Sequence, residues 1–388
     1  MSVRSETLVI GGGPAGSIAA MRLATDHDVV IVEEHDSPGE PVQCAGLVTP
    51  RGVPDFARES IVSSVRGARI HSPLGFVLTI ASKKPRAHVL DRRVFDSLLF
   101  ERALSAGAVP VIGSRVRTIR DEGTRIEAEL DARGGRDCHL AADVLIGADG
   151  HRSICRQAAG LRPPKQVLRG LQTELTGVES DPDFVDLYIG SNIAPGFFGW
   201  SIPAGDVTRV GLCTWGEDEL PSKYLKSLLS RPEFANASQI STSSGRIPVG
   251  GGRSAVSGRI MLVGDAACHA KPLSGGGVYT GVRGAELCAD VARRHLDDPD
   301  GTSLSDYDTL WREAFGQELS RAFRIRKVFL TLTDRKMDQA LRMFDDPEVR
   351  ALIEETGDID YPSALSKNIL KLAPKLAKFS PQLIKSLL

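Results

Sequence analysis

The sequence predicts an α/β fold, and three observations carry that prediction: three apolar segments each run into a glycine-and-acid turn, alternating β-type stretches lie between the second and third, and a helical pattern follows. The expected parts are a Rossmann-like nucleotide-binding domain, an antiparallel β-sheet serving the substrate side, and a helical C-terminal region. At 388 residues the chain can bury a large core and has room for about two domains. The predicted division assigns 1–162 to the first part of the nucleotide-binding domain, with 51–84 inserted toward the substrate side. Residues 163–248 then form the sheet domain, 249–302 close the nucleotide-binding domain, and 303–388 make the helical region.

The first turn, Gly11 to Gly16, follows the apolar run 8–10 and opens a helical run over 17–24. A pyrophosphate belongs at such a strand-to-helix turn. Gly11 permits the tight bend, Gly13 lets the backbone approach the phosphates beside Ala15, and Gly16 lets helix and strand pack closely, while the helix N-terminus supplies free N–H groups. The next strand, 29–32, ends in Glu33, at the spacing a dinucleotide fingerprint requires for an acid reaching a ribose hydroxyl; Glu34 reads as its solvated neighbour.

The second signature is the strand and turn over 143–150, ending Gly147-Ala148-Asp149-Gly150. In the third, the buried strand 259–263 leads to Gly264-Asp265-Ala266-Ala267, a glycine loop to Gly277 and Val278, and a long helix. Asp265 can accept hydrogen bonds from ribityl hydroxyls. The N–H groups of Gly277 and Val278 can face the pyrimidine edge of a flavin, where negative charge accumulates on reduction. Three such signatures in this order imply FAD.

Between the signatures, 89–96 leads into a helix running to about Leu104, with Asp91 as its N-cap. The alternating stretches 168–176, 184–189, 197–202 and 208–213 read as an antiparallel sheet roofing the flavin. From Ser303 onward Leu310, Phe315 and Leu319 recur at helical spacing. The net charge of −1 gives no reason to expect nucleic acid as a partner. Six cysteines form no C-x-x-C pair and no zinc spacing, so a reduced, cytoplasmic protein without a bound metal is expected. The nucleotide-binding pattern starts by Thr7, so no leader is expected, and no apolar run reaches the roughly eighteen residues of a membrane span.

With these motifs in place, residues 5–300 resemble the p-hydroxybenzoate hydroxylase-like flavoprotein superfamily. Two further segments resemble its geranylgeranyl reductase family, the digeranylgeranylglycerophospholipid reductase-like branch. One is Pro41-Val42-Gln43-Cys44-Ala45-Gly46-Leu47, similar to that family's Pro-x-x-Cys segment lying against the flavin. The other is Phe198-Gly199-Trp200-Ser201-Ile202-Pro203 with Gly211-Leu212-Cys213 beyond it, similar to the family's Tyr-x-Trp-x-Phe-Pro segment and later Gly-x-Gly. Here Phe198 replaces the tyrosine, Ile202 the phenylalanine and Cys213 the second later glycine. The resemblance implies that Cys44, Ala45 and Gly46 lie beside the flavin, that Arg92 lies along the FAD, and that Val116 makes a backbone contact to its adenine half.

The resemblance also implies a reaction: saturation of the isolated double bonds of geranylgeranyl chains, in the making of archaeal-type ether lipids. Such alkenes have no carbonyl to polarise them, so a hydride from the flavin must be matched by a proton to the other alkene carbon. Cys44 is the first candidate donor, because a thiol in apolar surroundings keeps its proton near neutral pH; shaping the loop is its other reading. His269 and Tyr279 are weaker candidates. Phe198 and Trp200, with Pro203 and the neighbouring Phe197, are the expected wall of a prenyl groove. The rival readings are an FAD-dependent monooxygenase and a flavoprotein that binds prenyl lipids without turning them over. No second nucleotide fingerprint names the external electron donor, leaving NADPH, ferredoxin and a reduced deazaflavin. Residues 363–388 carry Lys367, Lys371, Lys375, Lys378 and Lys385 among many apolar residues and no acid. That composition suits either peripheral contact with the inner face of the cell membrane or a helical cap on the protein's own core.

Overall fold

The computed structural model describes residues 2–131, 137–216, 219–252 and 254–362. The lysine-rich segment 363–388 lies outside them. The nucleotide-binding part is built on an eight-stranded sheet whose path runs Val256–Ser257, Ile260–Leu262, Asp137–Gly147, Ser2–Ile10, Val29–Glu33, Val109–Ile112. Ile126–Asp131 and Arg115–Asp121 extend it as an antiparallel flap. The pairings from Ile260–Leu262 to Val109–Ile112 are all parallel. Parallel strands are covered on both faces, which is why these segments read as unbroken apolar runs; every residue of Val29–Glu33 is buried.

The helix Pro14–Leu23 packs against Arg92–Ser105 and Val278–Asp297. It starts three residues earlier than the sequence pattern suggests, because Pro14 at the first helical position needs no N–H partner and its ring presets a helical φ. Asp91 caps the helix Arg92–Ser105 as expected, accepting the N–H of Arg93 at 2.9 Å.

The second sheet has seven strands in the order Ser238–Val249, Gln166–Thr176, Val207–Thr214, Phe198–Ala204, Phe184–Ile189, Gly67–His71, Val77–Ala81. Only the pairing of Phe184–Ile189 with Gly67–His71 is parallel. Side chains alternate between its two faces. On the outer face Tyr188, Val210 and Leu212 pack with Leu225 and Leu228 of the helix Pro221–Leu229. The inner face turns Trp200, Arg209, Gly211 and Cys213 toward the nucleotide-binding part. A three-stranded sheet, Leu47–Val48, Ala87–Leu90 and Ile61–Val65, joins the two, with Val65, Ala87 and Val89 packed against Val185, Ile202 and Ala204. The C-terminal region is helical, over Asp306–Trp311, Gln317–Phe329, Asp334–Phe344 and Pro347–Thr356. Among the described residues no helix is long and apolar enough to cross a membrane.

Candidate active site

The three glycine-and-acid turns converge at one end of the parallel sheet. Gly11 has φ +106°, and a Cβ on it would overlap the carbonyl of Ala148, so the first and second signatures touch there. A Cβ on Gly16 would overlap the Gly11 oxygen, whereas one on Gly13 would meet nothing within 4 Å. Space is therefore left only at Gly13, where a pyrophosphate would approach the backbone. The Ala15 methyl stands 3.1 Å from a Cβ built on Gly264, which joins the first signature to the third.

Glu33 is buried, and its two oxygens accept the N–H of Gly12 at 2.7 Å and of His35 at 2.9 Å. It holds the glycine turn. Asp149 accepts from Ser153 Oγ at 2.6 Å and fixes the second turn. Asp265 stands at the start of the third, with its Oδ1 3.3 Å from a Cβ built on Gly277. Burial pushes its carboxyl up to about 6, against the pull of Arg92. No donor among the described residues bonds that carboxylate, so the hydroxyls of a ribityl chain would satisfy an otherwise unmet acceptor. Gly277 precedes the 20-residue helix Val278–Asp297, whose first N–H groups have no partner within the helix.

Arg92 is held by Asp96 in a two-pronged pair, both contacts at 2.9 Å. Burial opposes its charge, but Asp96 and the side chain of Cys44 outweigh that and hold its pKa above the ordinary value. Val116 packs its side chain into the core, beside a bulge where the ladder with Ile126–Asp131 slips.

Above this cradle lies the inner face of the seven-stranded sheet. The segment carrying Cys44 crosses it: a Cβ on Gly245 would sit 2.7 Å from the Gln43 carbonyl oxygen. Cys44 Sγ accepts the N–H of Gly46 at 3.4 Å, and Gly46 needs its φ of +77° to make that turn. Phe197 and Phe198 stack with centroids 4.2 Å apart, and Trp200 meets Phe198 edge-on at 6.4 Å. The Trp200 indole N–H donates to Gln172 Oε1 at 2.9 Å while its ring covers Gly211. The Phe197 ring is 3.2 Å from a Cβ built on Gly275, so the aromatic wall abuts the glycine loop of the third signature. Strand alternation turns Pro203 to the opposite face from Phe198 and Trp200. Its carbonyl instead accepts the hydroxyl of Ser63 at 2.8 Å, and the structure does not bring it to the wall.

Residues 4–309 match the FAD binding domain family. The chain is 32% identical over 398 residues to digeranylgeranylglycerophospholipid reductase 1 of Methanothermobacter thermautotrophicus, covering 97% of each chain. An uncharacterized protein of Methanocaldococcus jannaschii is 33% identical over 372 residues, covering 94% of this chain and 95% of that one. The chain belongs to the digeranylgeranylglycerophospholipid reductase family. It is an FAD-dependent oxidoreductase. The fold agrees: a geranylgeranyl bacteriochlorophyll reductase-like protein of Thermoplasma acidophilum superimposes with a TM-score of 0.85 at 24% identity, over 99% of this chain and 100% of that one.

Within this reductase-family fold, Arg209 is a site residue that sequence reasoning did not find. It projects from the inner face, 8% exposed, and its Nη1 donates to the carbonyls of Ala45 at 3.0 Å and Leu90 at 2.8 Å. Its Nε donates to Glu174 Oε1 at 3.2 Å. One side chain thus ties the seven-stranded sheet to the Cys44 loop and to the strand leading to Arg92. A Cβ on Gly46 would stand 2.6 Å from that Nη1, which is a second reason for glycine there. An arginine in an alternating strand gives no local signal of this role.

His269 does not face the cradle. It is buried, stacked on Trp311 with centroids 3.5 Å apart, and its Nδ1 accepts the N–H of Gly264 at 3.2 Å. Burial lowers its pKa to about 3, so it stays neutral and serves packing. Tyr279 bonds the hydroxyl of Tyr361 at 3.0 Å and is engaged with the C-terminal region.

Proposed function

We propose that this chain saturates isolated C=C bonds of geranylgeranyl chains in the biosynthesis of archaeal-type ether lipids. The observation that carries the reading is the meeting of the Cys44 segment, the Phe197, Phe198 and Trp200 wall, and the Gly275 loop on one face of the sheet. The name and full-length cover of the M. thermautotrophicus relative support it. FAD, when bound, supplies the hydride.

The protein's own residues do the rest. Gly11, Gly13, Ala15 and Gly16 hold the pyrophosphate, Glu33 the ribose, Val116 the adenine half, and Asp265 the ribityl chain. Arg92 would lie along the FAD, and Ala45, Gly46, Gly277 and Val278 would face its ring. Phe198 and Trp200 give an apolar wall that orients an alkene and excludes water, and Cys44 is the proton donor to the carbon that does not receive hydride. The electron donor is external. The lysine-rich segment 363–388 supports peripheral contact with an anionic membrane face, and co-sedimentation with anionic liposomes, with and without that segment, tests the contact: equal binding of both chains rejects it.

Reoxidation of the reduced flavin in the absence of oxygen separates the readings. Geranylgeranyl substrates should speed it and be saturated in step. Binding without reoxidation would leave a carrier, and reoxidation that needs oxygen would leave a monooxygenase.

A further inference from the structure

Arg326, on the helix Gln317–Phe329, is 2% exposed and the largest of the fully buried side chains. Its Nε donates to Gln166 Oε1 at 2.7 Å, but its Nη2 has no partner and no carboxylate pairs with it among the described residues. The guanidinium lies over the Phe197 ring, 5.5 Å from the centroid. Burial lowers its pKa to about 10, with Cys213 as the opposing neighbour, so it remains a cation at neutral pH. Burying a cation with unmet donors is strongly unfavourable, and the other arginines held inside are met: Arg92 by Asp96, Arg209 by Glu174, and Arg156 by the carbonyls of Ala266 and His151. No anion among the described residues meets that charge, which leaves a place for a bound one.

The surroundings point to one end of the sheet face. Cys213, Gly170 and Gly245 stand side by side in register on three neighbouring strands. The two glycines put no side chain on the floor, where Gly170 faces the Cys213 Sγ and the Gln43 carbonyl covers Gly245. Cys213 packs in one cluster with Phe197 and Phe198, and Arg326 lies over Phe197, so the unpaired cation stands at the Cys213 end of the strip.

We propose that Arg326 recognises the phosphate ester of the prenyl substrate, seated at the Cys213 end of this glycine-floored strip. The assignment rests on the prenyl reductase reading and adds the group that selects the charged end. The chemistry is shared by prenyl diphosphates and by glycerophospholipids, whose phosphates offer the two-oxygen edge that a guanidinium grips best.

The test uses the full-length, FAD-loaded protein with inorganic pyrophosphate and glycerol phosphate as probes, measured by calorimetry. At least one should bind the wild type, and Arg326→Gln should weaken it by about tenfold or more, the usual consequence of losing a charge-assisted contact. Tighter pyrophosphate binding points to a diphosphate substrate, tighter glycerol phosphate binding to a phospholipid. In turnover, the ratio of kcat/KM for geranylgeranyl diphosphate, or for the phospholipid, to that for uncharged geranylgeraniol should fall by a similar factor. Arg326→Lys keeps the charge without the planar fork and guards against a folding defect; a loss of roughly threefold is expected there. Neither probe binding the wild type, or equal binding to wild type and both variants, overturns the proposal. Arg326-dependent anion binding in a protein that saturates no prenyl chain would keep the anion site and reject the reductase reading.

Discussion

The cofactor cradle and the inner face of the seven-stranded sheet meet across a few ångströms, yet they are built by opposite means. The cradle is made of backbone: Gly11, Gly13 and Gly16 are fixed by what a side chain would strike, and their partners lie in short consecutive motifs. The sheet face is made of side chains from distant segments, Cys44, Trp200, Arg209 and Arg326, brought together only by folding. A site defined by backbone clearance tolerates almost no change at its glycines and is written locally. One defined by convergent side chains can change substrate while the fold stays the same.

Gly16→Ala should show the largest effect. Its new methyl would overlap the Gly11 oxygen, so the strand and helix cannot keep their approach, and a loss of about 3–5 kcal/mol in stability, with FAD no longer retained, is expected in thermal melts and absorbance. Gly13→Ala sharpens the contrast. Nothing in the protein meets that methyl, so the FAD-free fold should melt unchanged while FAD affinity falls. If Gly13→Ala melts as poorly as Gly16→Ala, the open space at Gly13 does not belong to the cofactor.

Asp265→Ala removes a charged acceptor worth about 1.5–3 kcal/mol when hydrogen-bonded, and should weaken FAD retention by one to two decades. Undiminished occupancy after dilution would remove Asp265 from the cofactor site.

On the sheet side, Arg209→Met should leave FAD bound but lower kcat by about tenfold, through a Cys44 loop held less firmly. Faster alkylation of Cys44 by iodoacetamide in that variant is the readout specific to loop release, and an unchanged rate would deny Arg209 its positioning role. Cys44→Ser should retain FAD and slow saturation; normal turnover would leave Cys44 a shaping residue of the loop.

The smallest expected effect is a pH dependence of the FAD-free protein. Burial raises the Asp265 carboxyl from the usual 3.8 to about 6. Its contribution to stability is full below the lower value and lost as pH rises through the upper one. Asp265→Asn should therefore gain on wild type by on the order of 1 kcal/mol between pH 4 and 7, and FAD should diminish the difference by bonding the carboxylate. A parallel pair of stability curves would show that the carboxyl is not raised.

What the sequence made legible follows the same division. The parallel strands, the Asp91 cap and the three turns were readable because each depends on a few consecutive residues. The early start of the first helix carries no apolar signal of its own, because Pro14 belongs by motif to the glycine turn. Pro203 shares a motif with Phe198 and Trp200, but period-two alternation sends it to the other face. Arg209 and Arg326 gave no signal, since their meaning lies in partners far along the chain, Ala45 and Leu90 for one and Gln166 and Phe197 for the other.

The central claim is that the sheet face presents a prenyl double bond to the flavin. Mass spectrometry of products formed by dithionite-reduced protein, with oxygen excluded and geranylgeranyl substrates supplied, tests it most directly. The account predicts products heavier in steps of two hydrogens. Substrates left unchanged under these conditions, together with the gain of one oxygen atom in air, would contradict it.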